Sequence, residues 1–218
     1  MATTASAREQ AADISVRLIG AGQEIWSLTA SERLGRMFAR IGLDDLSAWD
    51  GTPPASGTCL VISADHVFAQ VLLADLKAQP GMVLISAGRP VAAHVAADRA
   101  ADAAADIAAG RLERAADLAV ATPEELSSAY DERLRKREIP YVMELTPETV
   151  RAAEKRTFSG SYKGVTDFVT LYLWPRPAIT VVRWFAGKGI TPNMVTALSL
   201  VLVLAATWLF WHGWFLTG

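Results

Sequence analysis

The sequence is poor in the residues that staple small proteins or build metal centres. It has a single cysteine, Cys59, which rules out an internal disulfide framework and suits a reducing compartment. Its 3 histidines, His66, His94 and His212, share no ligand spacing. Asp65 beside His66 is a lone pair of the kind turns carry, and no metal site is read from it. Charge is missing from one end: after Lys188 no Lys, Arg, Asp or Glu occurs. A tail without charge is not a solvated one.

What is there is apolar. Hydrophobic residues make up 51% of the 218, and mean hydropathy is +0.23. That length suits one soluble domain of about 150 residues plus an appendage. From Met194 to Leu216 the chain is almost wholly apolar. At ~1.5 Å rise per residue, a helix of that length crosses a hydrocarbon core of ~30 Å. The competing reading is a buried core helix, but uncharged core helices are usually shorter. Trp208, Trp211 and Trp214 near the far end read as an interfacial aromatic belt. The segment sits at the wrong terminus for a signal peptide.

Charge is distributed unevenly. Residues 1–155 carry 16 basic and 22 acidic side chains, net −6. Residues 156–218 carry Arg156, Lys163, Arg176, Arg183 and Lys188 against Asp167 alone, net +4. Cations on the N-terminal flank of a span predict that this flank stays cytoplasmic and faces anionic lipid. The acidic front half argues against nucleic-acid binding, which needs a basic face.

Residues 1–12 are rich in Ala, Thr, Ser and Gln and read as disordered. Val16–Ile19 and Glu24–Leu28 read as short strands separated by Gly20 and Gly22. Thr29-Ala-Ser-Glu32 is a capping box that starts a helix to about Ile41, with Leu34, Phe38 and Ile41 on its buried face and Gly42 ending it. The loop Asp50–Gly57 leads into Thr58–Ser63, an apolar run expected of a strand buried on both faces. A helix is expected over Val67–Ala78, strands over Met82–Ser86 and Val91–Val95, and one or two surface helices between Ala96 and Ala119. Thr122-Pro123 and Thr146-Pro147 each read as helix starts. Arg133–Arg137 reads as a solvated helix end, with contact to anionic headgroups second. Strand–helix alternation predicts an α/β class with a small, mostly parallel sheet and flanking helices over residues 13–157.

Residues 158–192 form a neck. Phe168, Leu171, Trp174, Ile179, Trp184 and Phe185 supply apolar bulk, with Arg176, Arg183 and Lys188 interleaved. Arg176 and Arg183 lie two helical turns apart, on one face. Trp184 with these cations describes an interfacial helix; the competing reading is an amphipathic helix packed on the soluble domain. Thr191-Pro192-Asn193 then caps and starts the span, residues 193–216.

Three runs, Tyr162-Lys-Gly-Val-Thr-Asp167, Thr170–Pro177 and Ile190-Thr-Pro-Asn-Met-Val-Thr196, resemble the approach to the membrane domain of CDP-alcohol phosphatidyltransferases. In that family a juxtamembrane amphipathic helix precedes a first span opening on Thr-Pro-Asn-x-x-Thr. The resemblance implies transfer of a phosphatidyl or phospho-alcohol group from a CDP-linked donor to an alcohol, releasing CMP. It also implies Mg²⁺ or Mn²⁺, a lipid bilayer as partner, and homodimers, which are common there. Asn193 and Thr196 share one face of the span's first turns, where a nucleotide's pyrophosphate would meet free N–H groups. Alternatively, Asn193 is an interfacial polar residue and Thr196 bonds back to its own helix. The family's two-metal aspartate signature, Asp-x-x-Asp-Gly-x-x-Ala-Arg … Gly-x-x-x-Asp-x-x-x-Asp, does not occur here. It belongs to later spans, so these residues read as the front part of a longer enzyme or a protein without its catalytic half.

The soluble part resembles nucleotidyltransferase domains of the sugar-nucleotide type more weakly. Leu60-Val-Ile-Ser-Ala-Asp65 matches the strand whose terminal Asp binds metal and nucleotide there. Those enzymes place a Gly-rich loop with a basic residue after the first strand; here Trp26–Thr29 runs straight into the helix. The domain therefore reads as degenerate, with Asp65 a relic or a cap for the helix from Val67. Two other functions stay open: a non-catalytic, membrane-tethered α/β binding module, and a soluble-domain cytidylyltransferase.

In high-speed centrifugation of a detergent-free lysate the chain is expected in the membrane pellet. Recovery from the supernatant as an intact, monodisperse species would contradict the spanning helix.

Overall fold

The computed structural model describes residues 14–127, 130–131, 136–137, 140–160 and 175–213. The expected disorder of residues 1–12, the basic cluster around Arg133, Trp214 and most of the neck's first half lie outside them. The chain forms two compact units, Met1–Gly160 and Ser161–Gly218.

The first unit is α/β around a mixed 6-stranded sheet. Its strands are β1 (Ile14–Ile19), β2 (Leu46–Ala48), β3 (Thr58–Ser63), β5 (Met82–Ser86), β6 (Arg89–Ala96) and β7 (Ala119–Ala121), in the order β2-β1-β3-β6-β5-β7. β1 runs parallel to β2 and β3, β5 parallel to β7, and β6 antiparallel to both its neighbours. So β6 alone points the other way. A short strand β4 (His66–Phe68) pairs with β10 (Val142–Glu144) beside this sheet, and β8 (Tyr130–Asp131) with β9 (Lys136–Arg137).

Alternation within β3 explains the layering. Leu60 and Ile62 enter one core with Leu34 and Phe38 of helix α1 (Ala30–Ala39) and Leu72, Leu73 and Leu76 of α2 (Gln70–Lys77). Cys59 and Val61 enter the opposite core with Ala100, Ala103, Ala104 and Ile107 of α3 (Ala100–Ala109). Helices thus cover both faces, which is why Thr58–Ser63 reads as a continuous apolar run. α1 begins as expected: the Thr29 N–H donates to Glu32 Oε2 at 2.9 Å and the Glu32 N–H to Thr29 Oγ1 at 3.2 Å.

Several expectations are corrected. Glu24–Leu28 is not a strand, since Ile25 and Leu28 close a tight turn on themselves. The predicted helix over Val67–Ala78 starts only at Gln70, because His66–Phe68 is drawn into pairing with β10. The Ala-rich stretch gives one helix, with Ala100, Ala103, Ala104 and Ile107 on its buried face and Ala101, Ala108 and Ala109 exposed. After it, the buried Asp106 carboxylate accepts N–H bonds from Glu113, Arg114 and Ala115 at 2.9, 3.1 and 2.9 Å, holding a strandless loop in place. Thr122-Pro123 starts only a single turn, α4 (Pro123–Leu126), and Thr146-Pro147 is a turn before α5 (Val150–Gly160).

In the second unit, α6 (Pro175–Gly187) ends as Gly189 turns left-handed (φ 67°) and the Ile190 N–H bonds back to Phe185 O at 2.9 Å. α7 (Pro192–Trp211) follows, capped by Thr191, and is the one helix among the described residues long and apolar enough to cross a membrane. Two of its hydroxyls turn inward on its own backbone. Thr196 Oγ1 donates to Pro192 O at 3.0 Å and Thr207 Oγ1 to Val203 O at 2.8 Å.

His94 lies buried in β6 between two partners. Its Nδ1–H donates to Leu76 O at 3.0 Å, so Nε2 at 2.9 Å accepts from the Thr58 hydroxyl, and the ring is neutral. Burial pushes its pKa below 6.5, with the Leu76 carbonyl opposing. An unfolded histidine takes up a proton near pH 6.5 that this one refuses, so its contribution to stability is full above that pH and lost as pH falls below it. Denaturant midpoints from pH 8 to 5.5 should decline, and His94→Gln should flatten part of that decline. His66, also shifted down by burial, accounts for a further part.

Candidate functional site

The carboxyl ends of β1 and β3 open side by side. From β1 the chain leaves toward β2, and from β3 toward β5, so their ends form a topological switch point, the position at which open α/β sheets bind ligands. The loop after β1 is Gly20-Ala-Gly-Gln-Glu24, and the turn after β3 is Ala64-Asp65.

These two segments touch. The Gly22 N–H donates to Asp65 Oδ1 at 3.0 Å. Gly20 (φ +87°) lies so close that a Cβ there would sit 2.5 Å from Asp65 Oδ2. A Cβ on Gly22 (φ +68°) would meet Ala64 O at 2.5 Å and Ala30 Cβ at 2.7 Å. A side chain at Gly22 would collide with backbone, one at Gly20 would have to push the Asp65 carboxylate aside, and both positions hold the left-handed backbone that favours glycine. Two expectations change here. A glycine loop does follow the first strand, placed against Asp65, although it carries Glu24 and no basic residue. Asp65 does not cap the next helix, whose N-cap is Ala69.

A cation lies beneath this turn instead. Arg33 of α1 is only 9% exposed. Its Nη2 donates to His66 O at 3.2 Å and approaches Ala64 O at 3.5 Å, the carbonyls on either side of Asp65. Its Nε and Nη1 have no hydrogen-bond partner among the described residues. Burial pushes its pKa down, with Tyr141 opposing. Sequence reading passed over Arg33, yet the signal was there: it sits on the apolar stripe of Ala30, Leu34 and Phe38.

Further along the same sheet edge, His66 Nδ1 lies 2.9 Å from Ser63 Oγ, and Arg89 pairs with Glu144 at 3.9 Å. Past these, the ends of β5 and β7 line a cavity of about 370 Å³ with Ser86, Ala87, Thr122, Glu124 and Tyr141. Ala87 holds φ 50° at its rim. Among the described residues no three His, Cys, Asp or Glu side chains gather to hold a metal.

The other predicted site residues lie in the second unit. Asn193 is exposed in the first turn of α7, where Thr191 Oγ1 accepts from the Met194 N–H at 3.4 Å. The Thr196 hydroxyl spends its proton on Pro192 O and keeps only acceptor capacity. On α6, Arg183 is exposed and Trp184 is 56% exposed, with Lys188 Nζ 5.0 Å from its ring centroid. Arg176 lies on the same helix, its side chain outside the described residues.

Compared with known proteins, the chain matches no family model and no curated protein.

Gly22→Ala should destabilise the protein by about 2–4 kcal/mol, combining backbone strain with the clash at Ala64 O. Gly42→Ala is the control: φ is +74° there but nothing lies within 4 Å, so only the strain of about 1 kcal/mol applies. Urea midpoints of the two variants should differ in that order.

Proposed function

We propose that this chain is the front part of a membrane protein resembling the CDP-alcohol phosphatidyltransferases of phospholipid synthesis. In this reading α7 spans the bilayer, α6 lies at its cytoplasmic face, and the α/β unit stands in the cytoplasm. The observation that carries it is the second unit's chemistry. An uncharged helix opens on Thr191-Pro192-Asn193, the hydroxyls of Thr196 and Thr207 close on its own carbonyls, and Arg183, Trp184 and Lys188 precede it. Hydrocarbon tolerates a backbone whose polar groups are met internally, and a headgroup layer suits indole beside cations. The net charge of +4 from residue 156 onward favours the cytoplasmic side for that flank. The first turn of α7 would receive the pyrophosphate of a CDP-linked donor, with Asn193 as hydrogen-bonding partner. The transfer itself needs the paired aspartates, which these residues lack.

The contact of Gly22 with Asp65 favours a second reading, in which the soluble edge binds a nucleotide. A glycine loop beside a strand-terminal carboxylate supports that reading, with the Gly22 N–H itself taken up by Asp65. It lacks the basic residue expected of an active cytidylyltransferase.

Calorimetric titration of the full chain in detergent separates the readings. CDP binding lost in Asn193→Ala but kept in Asp65→Asn supports the membrane-edge site, and CTP binding with the opposite pattern supports the soluble one. Binding of neither nucleotide supports a tethered, non-catalytic module. In the gene, an aspartate signature within the next two hydrophobic spans is expected downstream of Gly218, and spans without it would remove the enzyme reading.

A further inference from the structure

Between the Gly20–Glu24 loop and α1 the chain makes a turn that its own residues disfavour. Ile25 and Leu28 exchange both backbone hydrogen bonds, at 3.1 and 2.9 Å, around Trp26 and Ser27. Both central residues have positive φ, 55° and 58°. There a Cβ crowds the following carbonyl oxygen, and such turns normally take Asn-Gly. Neither Trp26 nor Ser27 relieves that crowding, so something else holds the turn.

That something is α5. The Trp26 N–H donates to Glu154 Oε1 at 3.4 Å and its indole Nε1–H to Thr157 Oγ1 at 3.3 Å. The indole leans on Phe158, with ring centroids 6.2 Å apart. Glu154 is buried, and Ile25 packs with Val67, Leu145 and Ala153 in a small core of its own. The loop carrying Gly20 and Gly22 is therefore held by β1 at one end and by this turn at the other. α5 is also the last helix of the first unit, from which the chain runs on toward α6 and α7.

We propose that the Ile25–Leu28 turn is a latch through which α5 holds the Gly20–Glu24 loop in the conformation that faces Asp65. Displacing α5 releases the strained turn and loosens the loop. By linkage, anything that orders the loop against Asp65 favours the docked helix in the same measure. The inference goes beyond the proposed function and stands whichever ligand, if any, that edge takes.

Hydrogen exchange of the full chain in detergent micelles tests it without a ligand. Thr157→Val removes the indole's acceptor at little change in shape. Peptides covering residues 20–28 should then exchange about tenfold faster, as expected for losing a hydrogen bond that holds strain, while those covering β3 stay unchanged. Adding Ser27→Gly should return that exchange to within about twofold of the parent, because glycine adopts positive φ without α5's help and Ser27 is exposed. Acceleration confined to residues 150–160, or a double variant as fast as the single one, overturns the latch. Should Thr157→Val fail to fold, Ser27→Gly alone decides. Slower exchange over residues 20–28 supports the proposal, and unchanged or faster exchange overturns it.

Discussion

The pairing of β1 with β3 sets nearly everything at the sheet edge. Its register runs from Ile14 opposite Thr58 to Ile19 opposite Ser63, and the Ala64 N–H extends it by bonding Ile19 O at 2.8 Å. Two cores enforce that register. Shifting β3 by one residue would send Leu60 and Ile62 toward α3 and Cys59 and Val61 toward α1, exchanging large side chains for small ones on both faces. With the register fixed, both chain exits emerge at the same level. Gly20 and Gly22 then pass within contact of the Ala64–Asp65 turn, where a side chain at Gly22 would strike the Ala64 carbonyl and one at Gly20 the Asp65 carboxylate. The geometry of the edge is inherited from the packing beneath it.

The second unit obeys a different constraint. Among the described residues none in α7 is buried, and its order rests on its own hydrogen bonds. Thr191 supplies the cap, Pro192 fills the first position, and the hydroxyls of Thr196 and Thr207 close on carbonyls one turn back. A helix arranged so has little for water to solvate. In water alone its surface of Leu, Val and Phe would drive self-association.

How much of this was legible depends on the range of the interactions involved. Thr58–Ser63, Met82–Ser86 and the Thr29 cap were readable because apolar runs and capping residues act locally. The Glu24–Leu28 segment misled because its apolar residues resemble a strand, while its turn depends on Trp26 meeting a helix far along the chain. β4 was absorbed into a helix for a similar reason: its partner, Val142–Glu144, is distant in sequence. The role of Asp65 could not be read locally either, since its neighbour Gly22 is brought to it by sheet register. Arg33 was readable in principle, being a cation on an apolar stripe. Its position beside the carbonyls of Ala64 and His66 was not.

The protein's one thiol sits in β3 with no exposed surface, and burial pushes its pKa up, with Ser15 and Arg17 opposing. A neutral, enclosed thiol meets alkylating reagents too slowly to compete with an exposed one. The native chain is therefore chemically silent toward maleimides while folded. Cysteines introduced singly along α6, α7 or the sheet edge would each report their own accessibility, with Cys59 left in place.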